Sequence, residues 1–96
     1  MKIGSKQNGG VMPEREAMIG PEEGLHARPA ARFVKEAKRF ASEVVVIKGG
    51  REANAKSPLK VMALGAKKGD RVTIRAEGED AEEAVDALAD LISAKE

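Results

Sequence analysis

The sequence predicts an α+β domain in which a four-stranded, mainly antiparallel sheet carries three amphipathic helices on one face. Three observations predict it. Apolar residues repeat every second position in some segments and every third or fourth in others, so strands and helices interleave along the chain. Each strand offers one apolar face and each helix one apolar stripe, and stacking the helices on a single side of the sheet buries them all. The pair Gly49-Gly50 between two extended runs is a two-residue hairpin signal, which makes those strands antiparallel neighbours.

Residues 1–11 are rich in Gly, Ser, Asn and Lys, and Asn8-Gly9-Gly10 favours neither helix nor strand. They are expected to form a flexible extension, followed by one domain over residues 12–96. Glu14 to Ile19 reads as a short first strand, and Gly20-Pro21-Glu22-Glu23-Gly24 turns the chain. From Ala27 to about Ala41 the residues Ala30, Phe33, Val34, Ala37, Phe40 and Ala41 recur at helical spacing, opposite a charged face. Pro29 is tolerated only in the first turn, so the helix must start just before it and His26 falls at or beside the N-cap.

The β-branched run Val44-Val45-Val46-Ile47 predicts a strand, and Arg51 to Asn54 its hairpin partner. Ser57-Pro58 is an N-cap followed by an N1 proline, opening a short helix with Leu59, Met62 and Leu64 that Gly65 closes. In Arg71 to Glu77, Val72, Ile74 and Ala76 alternate with polar residues, the pattern of a strand with one wet face. The last helix starts at Asp80, has Glu82 and Glu83 in its first turn, and carries Ala81, Ala84, Val85, Leu88, Leu91 and Ile92 as its apolar stripe.

Composition narrows the function. The chain has no Cys, which excludes disulfide frameworks, thiolate zinc sites and cysteine nucleophiles. Its 17 Lys and Arg against 16 Asp and Glu give a net charge of +1, so nucleic acid and membrane surfaces are not expected as partners. Two Phe, no Tyr and no Trp leave little on which bases could stack. Neither a signal peptide nor a membrane-spanning stretch is apparent, and a cytoplasmic monomer is expected. A single His with no Cys and no matched acid pair also lacks the second group a self-sufficient hydrolase needs.

That single His stands in an informative place. The amides of Ala27 and Arg28, at the start of a helix, have no intrahelical acceptor and lie at the positive end of its dipole. Together they make an anion site beside an imidazole, a side chain that is nucleophilic near neutral pH. The Arg28 guanidinium adds a planar fork suited to phosphate oxygens. Nucleophile, oxyanion donors and counter-charge thus come from neighbouring residues, and phosphoryl transfer through His26 is the chemistry they suit.

The heptapeptide Gly24-Leu25-His26-Ala27-Arg28-Pro29-Ala30 resembles the active-site signature of the histidine-containing phosphocarrier (HPr) family of the bacterial phosphoenolpyruvate-dependent sugar phosphotransferase system. Asn54-Ala55-Lys56-Ser57, with Val61-Met62 and Leu64-Gly65, resembles the second signature of that family. The resemblance runs from about Met12 to the C-terminus and implies an open-faced β-sandwich. It implies that His26 is phosphorylated at Nδ1 by Enzyme I and passes the group to sugar-specific IIA domains, with Arg28 stabilising the phosphate. On this reading the chain is a carrier, not an enzyme, and holds no cofactor or metal. In some branches the residue matching Ser57 is phosphorylated by an HPr kinase; the residue types alone make Ser57 a helix cap. Here Pro58 stands where a bulky aliphatic residue is common and Lys60 where Gly is common. Leu59 and Met62 are either core or part of an apolar docking patch. A regulatory HPr-like module acting by protein binding alone is the alternative, although such paralogues typically lose the active-site His.

Overall fold

The computed structural model describes residues 12–94. The expected extension at residues 1–11 lies outside the described residues. The elements follow the order β1 (Glu14–Met18), α1 (Ala27–Ala37), β2 (Glu43–Lys48), β3 (Arg51–Asn54), α2 (Pro58–Ala63), β4 (Arg71–Glu77) and α3 (Ala81–Ser93).

Alternation decides which strand faces are buried. Val72, Ile74 and Ala76 of β4 and Val44 and Val46 of β2 point into the core, while Thr73, Arg75, Val45 and Ile47 point away from it. The sheet has four strands in the order β1-β4-β2-β3, and every neighbouring pair is antiparallel. Val46 is opposite Ala53 on one side and Ile74 on the other, which fixes the register with the apolar residues on one face. The helices cover that face. Phe33, Val34 and Ala37 of α1, Val61 of α2 and Val85, Leu88 and Ile92 of α3 meet the strands in one continuous core. The outer face stays polar: Arg75, at the middle of β4, reaches Glu14 of β1 at 2.7 Å and Glu52 of β3 at 4.0 Å. Such exposed pairs contribute little singly.

Three details differ from the sequence pattern. Helix α1 ends at Ala37, not near Ala41; Phe40 is half-buried and Ala41 exposed. The amides of Arg39 and Phe40 pair back to Glu36 and Ala37 in tight turns, whereas those of Ala41 and Ser42 donate to the Asp80 carboxylate, 2.9 Å each. A second set of acceptors, brought in by the tertiary fold, replaces helical ones. Helix α2 buries Val61 and leaves Leu59 out, and α3 buries Ala89 more fully than Leu91. In α2 the buried position lies two residues beyond Leu59, and in α3 five of the six stripe residues stay buried while Ala89 replaces Leu91.

Candidate functional site

The segment from Gly20 to His26 is fixed from two sides before α1 begins. On one side the Gly20 amide donates to the Ile92 carbonyl at 3.0 Å, and a Cβ at Gly20 would overlap the backbone of Ser93. On the other, the Leu25 amide donates to the Ala66 carbonyl at 2.9 Å. Gly24 is buried at φ +72, and a Cβ there would lie 2.9 Å from the Lys67 Cα and inside contact distance of the Ala66 carbonyl oxygen. Glycine is required here twice over, for its backbone conformation and for its missing side chain. Lys68 also donates to Glu22, and this bond holds the Glu22 carboxyl below the usual carboxylate range.

Leu25 is buried and anchors the loop, which turns the next residue outward. His26 is the N-cap of α1, with φ −98 and ψ −164, and its side chain makes no cap hydrogen bond. Its carbonyl accepts the first helical bond, from Ala30 at 2.7 Å. Pro29 occupies the first turn, so the N–H groups preceding Ala30 in the helix are those of Ala27 and Arg28. Neither has an acceptor among the described residues. His26, Ala27 and Arg28 are all exposed. The arrangement is an outward imidazole next to two unanswered amides at a helix start, with a guanidinium on the second of those amide residues.

Arg28 lines a shallow recess of about 150 Å³ with Pro21, Glu22, Glu23 and Pro29. A larger groove, about 360 Å³, lies alongside between the start of α1 and the end of α3, lined by Leu25, Arg32, Asp90 and Leu91 among others. The second signature stretch forms a different surface. Ser57 is the N-cap of α2, and its Oγ accepts from the Lys60 amide at 3.4 Å, a long bond. Leu59 is 78% exposed and lines a depression with Arg51, Glu52, Lys60, Ala63 and Leu64. Met62 is half-buried and packs against the core. Of the two residues left open between core and surface, Leu59 is therefore surface and Met62 both. The sequence pattern gave no sign that Ala66 and Ser93 meet the His26 loop through backbone atoms, or that Asp70 supports it through both its carbonyl and its carboxylate, because all three lie far from the loop in sequence.

A family model described as "PTS HPr component phosphorylation site" matches residues 13–94. The chain belongs to the HPr family. Its sequence is 51% identical over 81 residues to the phosphocarrier protein HPr of Vibrio cholerae, an alignment covering 84% of this chain and 95% of that protein. The crystal structure of a phosphocarrier protein HPr from Bacillus anthracis superposes with a TM-score of 0.82 at 43% identity, covering 85% of this chain and 98% of that one. The HPr-like protein Crh of Halalkalibacterium halodurans is 44% identical over 77 residues, covering 80% of this chain and 92% of that protein. The fold is thus the open-faced β-sandwich of HPr. Among the described residues no helix is long and apolar enough to cross a membrane, and no group of three His, Asp or Glu could hold a metal ion.

Proposed function

We propose that this HPr-family chain carries a phosphoryl group on His26, accepted from phosphorylated Enzyme I and donated to sugar-specific IIA domains. One observation carries the reading: the family's histidine stands exposed at the N-cap of α1, its side chain uncommitted, beside the unanswered amides of Ala27 and Arg28. In the transfer, the Nδ1 lone pair of neutral His26 forms the new N–P bond while the bond from phosphorus to the donor's leaving atom breaks. The proton on Nε2 stays in place. Charge on the phosphoryl oxygens is met by the two amides, the positive end of the helix and the Arg28 guanidinium, so the chain supplies positioning and charge stabilisation. Exposed Leu59 gives partners an apolar contact, and half-buried Met62 follows it three residues on in α2.

The carrier acts as a monomer in transient cytoplasmic complexes. Ser57 caps α2 and, in this reading, is also open to an HPr kinase. The regulatory alternative gains support from the likeness to Crh; the presence of both His26 and Arg28 favours the carrier. The test is incubation with Enzyme I and labelled phosphoenolpyruvate. Label should reach the chain, be lost in mild acid and persist in base, as a phosphoramidate requires. A chain that takes up no label from phosphorylated Enzyme I would end the proposal and leave the regulatory reading.

A further inference from the structure

Opposite the end of α3, the loop that carries His26 leans on the turn at residues 66–70, and that turn is organised by one side chain. Asp70 Oδ2 accepts from the Lys67 amide at 2.9 Å, and the Asp70 amide donates to the Lys67 carbonyl at 2.8 Å. Gly69, at φ +88, takes the left-handed position that this four-residue turn requires. Two more bonds tie the turn to the chain entering the site: Ile19 amide to Asp70 carbonyl and Gly69 amide to Ile19 carbonyl, 2.8 Å each. At its other end the Ala66 carbonyl receives the Leu25 amide and forms the wall against which Gly24 is seated. Asp70 therefore closes a ring of hydrogen bonds on both sides of residues 20–24, ending one residue before His26.

We propose that Asp70 is a positioning residue for phosphoryl transfer, holding the Ala66 carbonyl, and through it Leu25 and His26, in the geometry that presents Nδ1 and the Ala27 and Arg28 amides to the same phosphoryl group. The proposal rests on the carrier reading above. Asp70 does not touch the reacting atoms. Its carboxylate has a second partner, Lys48 Nζ at 3.7 Å, which lies at the end of β2. A half-buried pair at the long limit of an ion pair adds little, whereas the bond to the Lys67 amide shapes the turn. Loss of the carboxylate lets the turn breathe, and small displacements of a nucleophile are expensive in rate.

The experiment measures transfer from phosphorylated Enzyme I, labelled from phosphoenolpyruvate, across a range of carrier concentrations. Asp70→Ala should lower the maximal rate by about fivefold while the apparent KM stays within about twofold, because docking surfaces are intact and geometry is not. Asp70→Asn keeps an oxygen that can accept from the Lys67 amide and should restore the rate to within about twofold. Lys48→Ala removes the ion pair alone and should transfer as the unaltered chain does. In parallel, amide exchange at Leu25 should quicken in Asp70→Ala and recover in Asp70→Asn. Asp70→Ser, with a shorter acceptor arm, should fall between the two and serves if the Ala variant is unfolded. An unchanged maximal rate in folded Asp70→Ala or Asp70→Ser, a change confined to KM, or equal loss in Asp70→Ala and Asp70→Asn would overturn the positioning role while leaving the carrier intact. If the unaltered chain takes no label at all, the carrier reading fails, and the positioning role with it.

Discussion

Two helices in this molecule open with a proline in the first turn, and the chain treats their free ends in opposite ways. At α2 the N1 residue is Pro58, which has no N–H, and the Ser57 hydroxyl takes the Lys60 amide, leaving only the Leu59 amide without an acceptor in that turn. At α1 the N-cap is His26, whose ring makes no cap bond, and the Ala27 and Arg28 amides stay unanswered. A serine in place of His26 would satisfy one of them and gain about 1 kcal/mol of helix stability. The chain forgoes that stabilisation at one helix and takes it at the other. Open polar groups at a helix start are where an incoming anion can be held, so on the proposed carrier reading the difference separates an end built for a ligand from one built for folding.

The sharpest way to break the comparison is to remove both N-cap side chains in turn. His26→Ala should abolish label uptake from phosphorylated Enzyme I while changing stability by no more than about 1 kcal/mol, since the ring is exposed and uncommitted. Retained uptake would move the acceptor elsewhere. Arg28→Ala should be a milder lesion of the same end, slowing transfer by about tenfold because the amides remain, again with stability changed by no more than about 1 kcal/mol. A wild-type rate in Arg28→Ala, measured under single turnover, would take the guanidinium out of the site.

Most of the site was legible because its parts are adjacent in sequence. The positions of His26, Pro29, Ser57, Pro58 and Gly65 follow from helix-end chemistry alone, and the heptapeptide around His26 names its family. The Gly49-Gly50 hairpin and the strand at Arg71 are equally local. What was not legible depends on residues far apart. The end of α1 at Ala37 is set by a carboxylate 38 positions beyond Ser42, and no periodicity within the helix reports it. The strand order β1-β4-β2-β3 comes from non-local pairing. Gly24 read as a turn residue, and its second role, letting the Ala66 carbonyl come close, appears only when the two segments are brought together.

Asp80 is a third helix start, and its chemistry differs again. Its carboxylate does not cap its own helix; it accepts from the Ser42 hydroxyl and from the Ala41 and Ser42 amides, binding the loop before β2 to the start of α3. Gly78 fits against this junction, where a Cβ would lie 2.8 Å from the Ser42 Cα. The Ser42 hydroxyl and then the Ala41 amide hold the Asp80 carboxyl below the usual carboxylate range, against the opposing effect of desolvation. A pKa lowered on folding contributes stability that is complete above the unfolded value, about 3.9, and is lost as pH falls through the folded one. Urea midpoints should therefore drop as pH falls below about 4, and Asp80→Asn should flatten that decline. Glu22, lowered by Lys68, acts with the same sign, but its ion pair is exposed and should be screened by salt. A decline that disappears wholly in high salt would assign it to Glu22 and free Asp80 of the role.

The smallest expected effect is at Ser57, and it sharpens the contrast between a helix end built for folding and one built for a ligand. The cap bond to Lys60 is 3.4 Å long, so Ser57→Ala should cost only about 0.5 kcal/mol, at the low end for N-caps. Ser57→Asp keeps an acceptor and adds charge at the favourable end of the helix, so stability should hold or rise slightly. Transfer separates the two substitutions. If Ser57 lies where Enzyme I docks, the Asp charge should raise the apparent KM by about threefold through repulsion and desolvation, while Ser57→Ala transfers normally. Equal transfer by both variants would leave Ser57 a cap and nothing more. A defect in Ala with normal transfer in Asp would tie the reaction to the integrity of α2, and the division between the two helix ends would then fail.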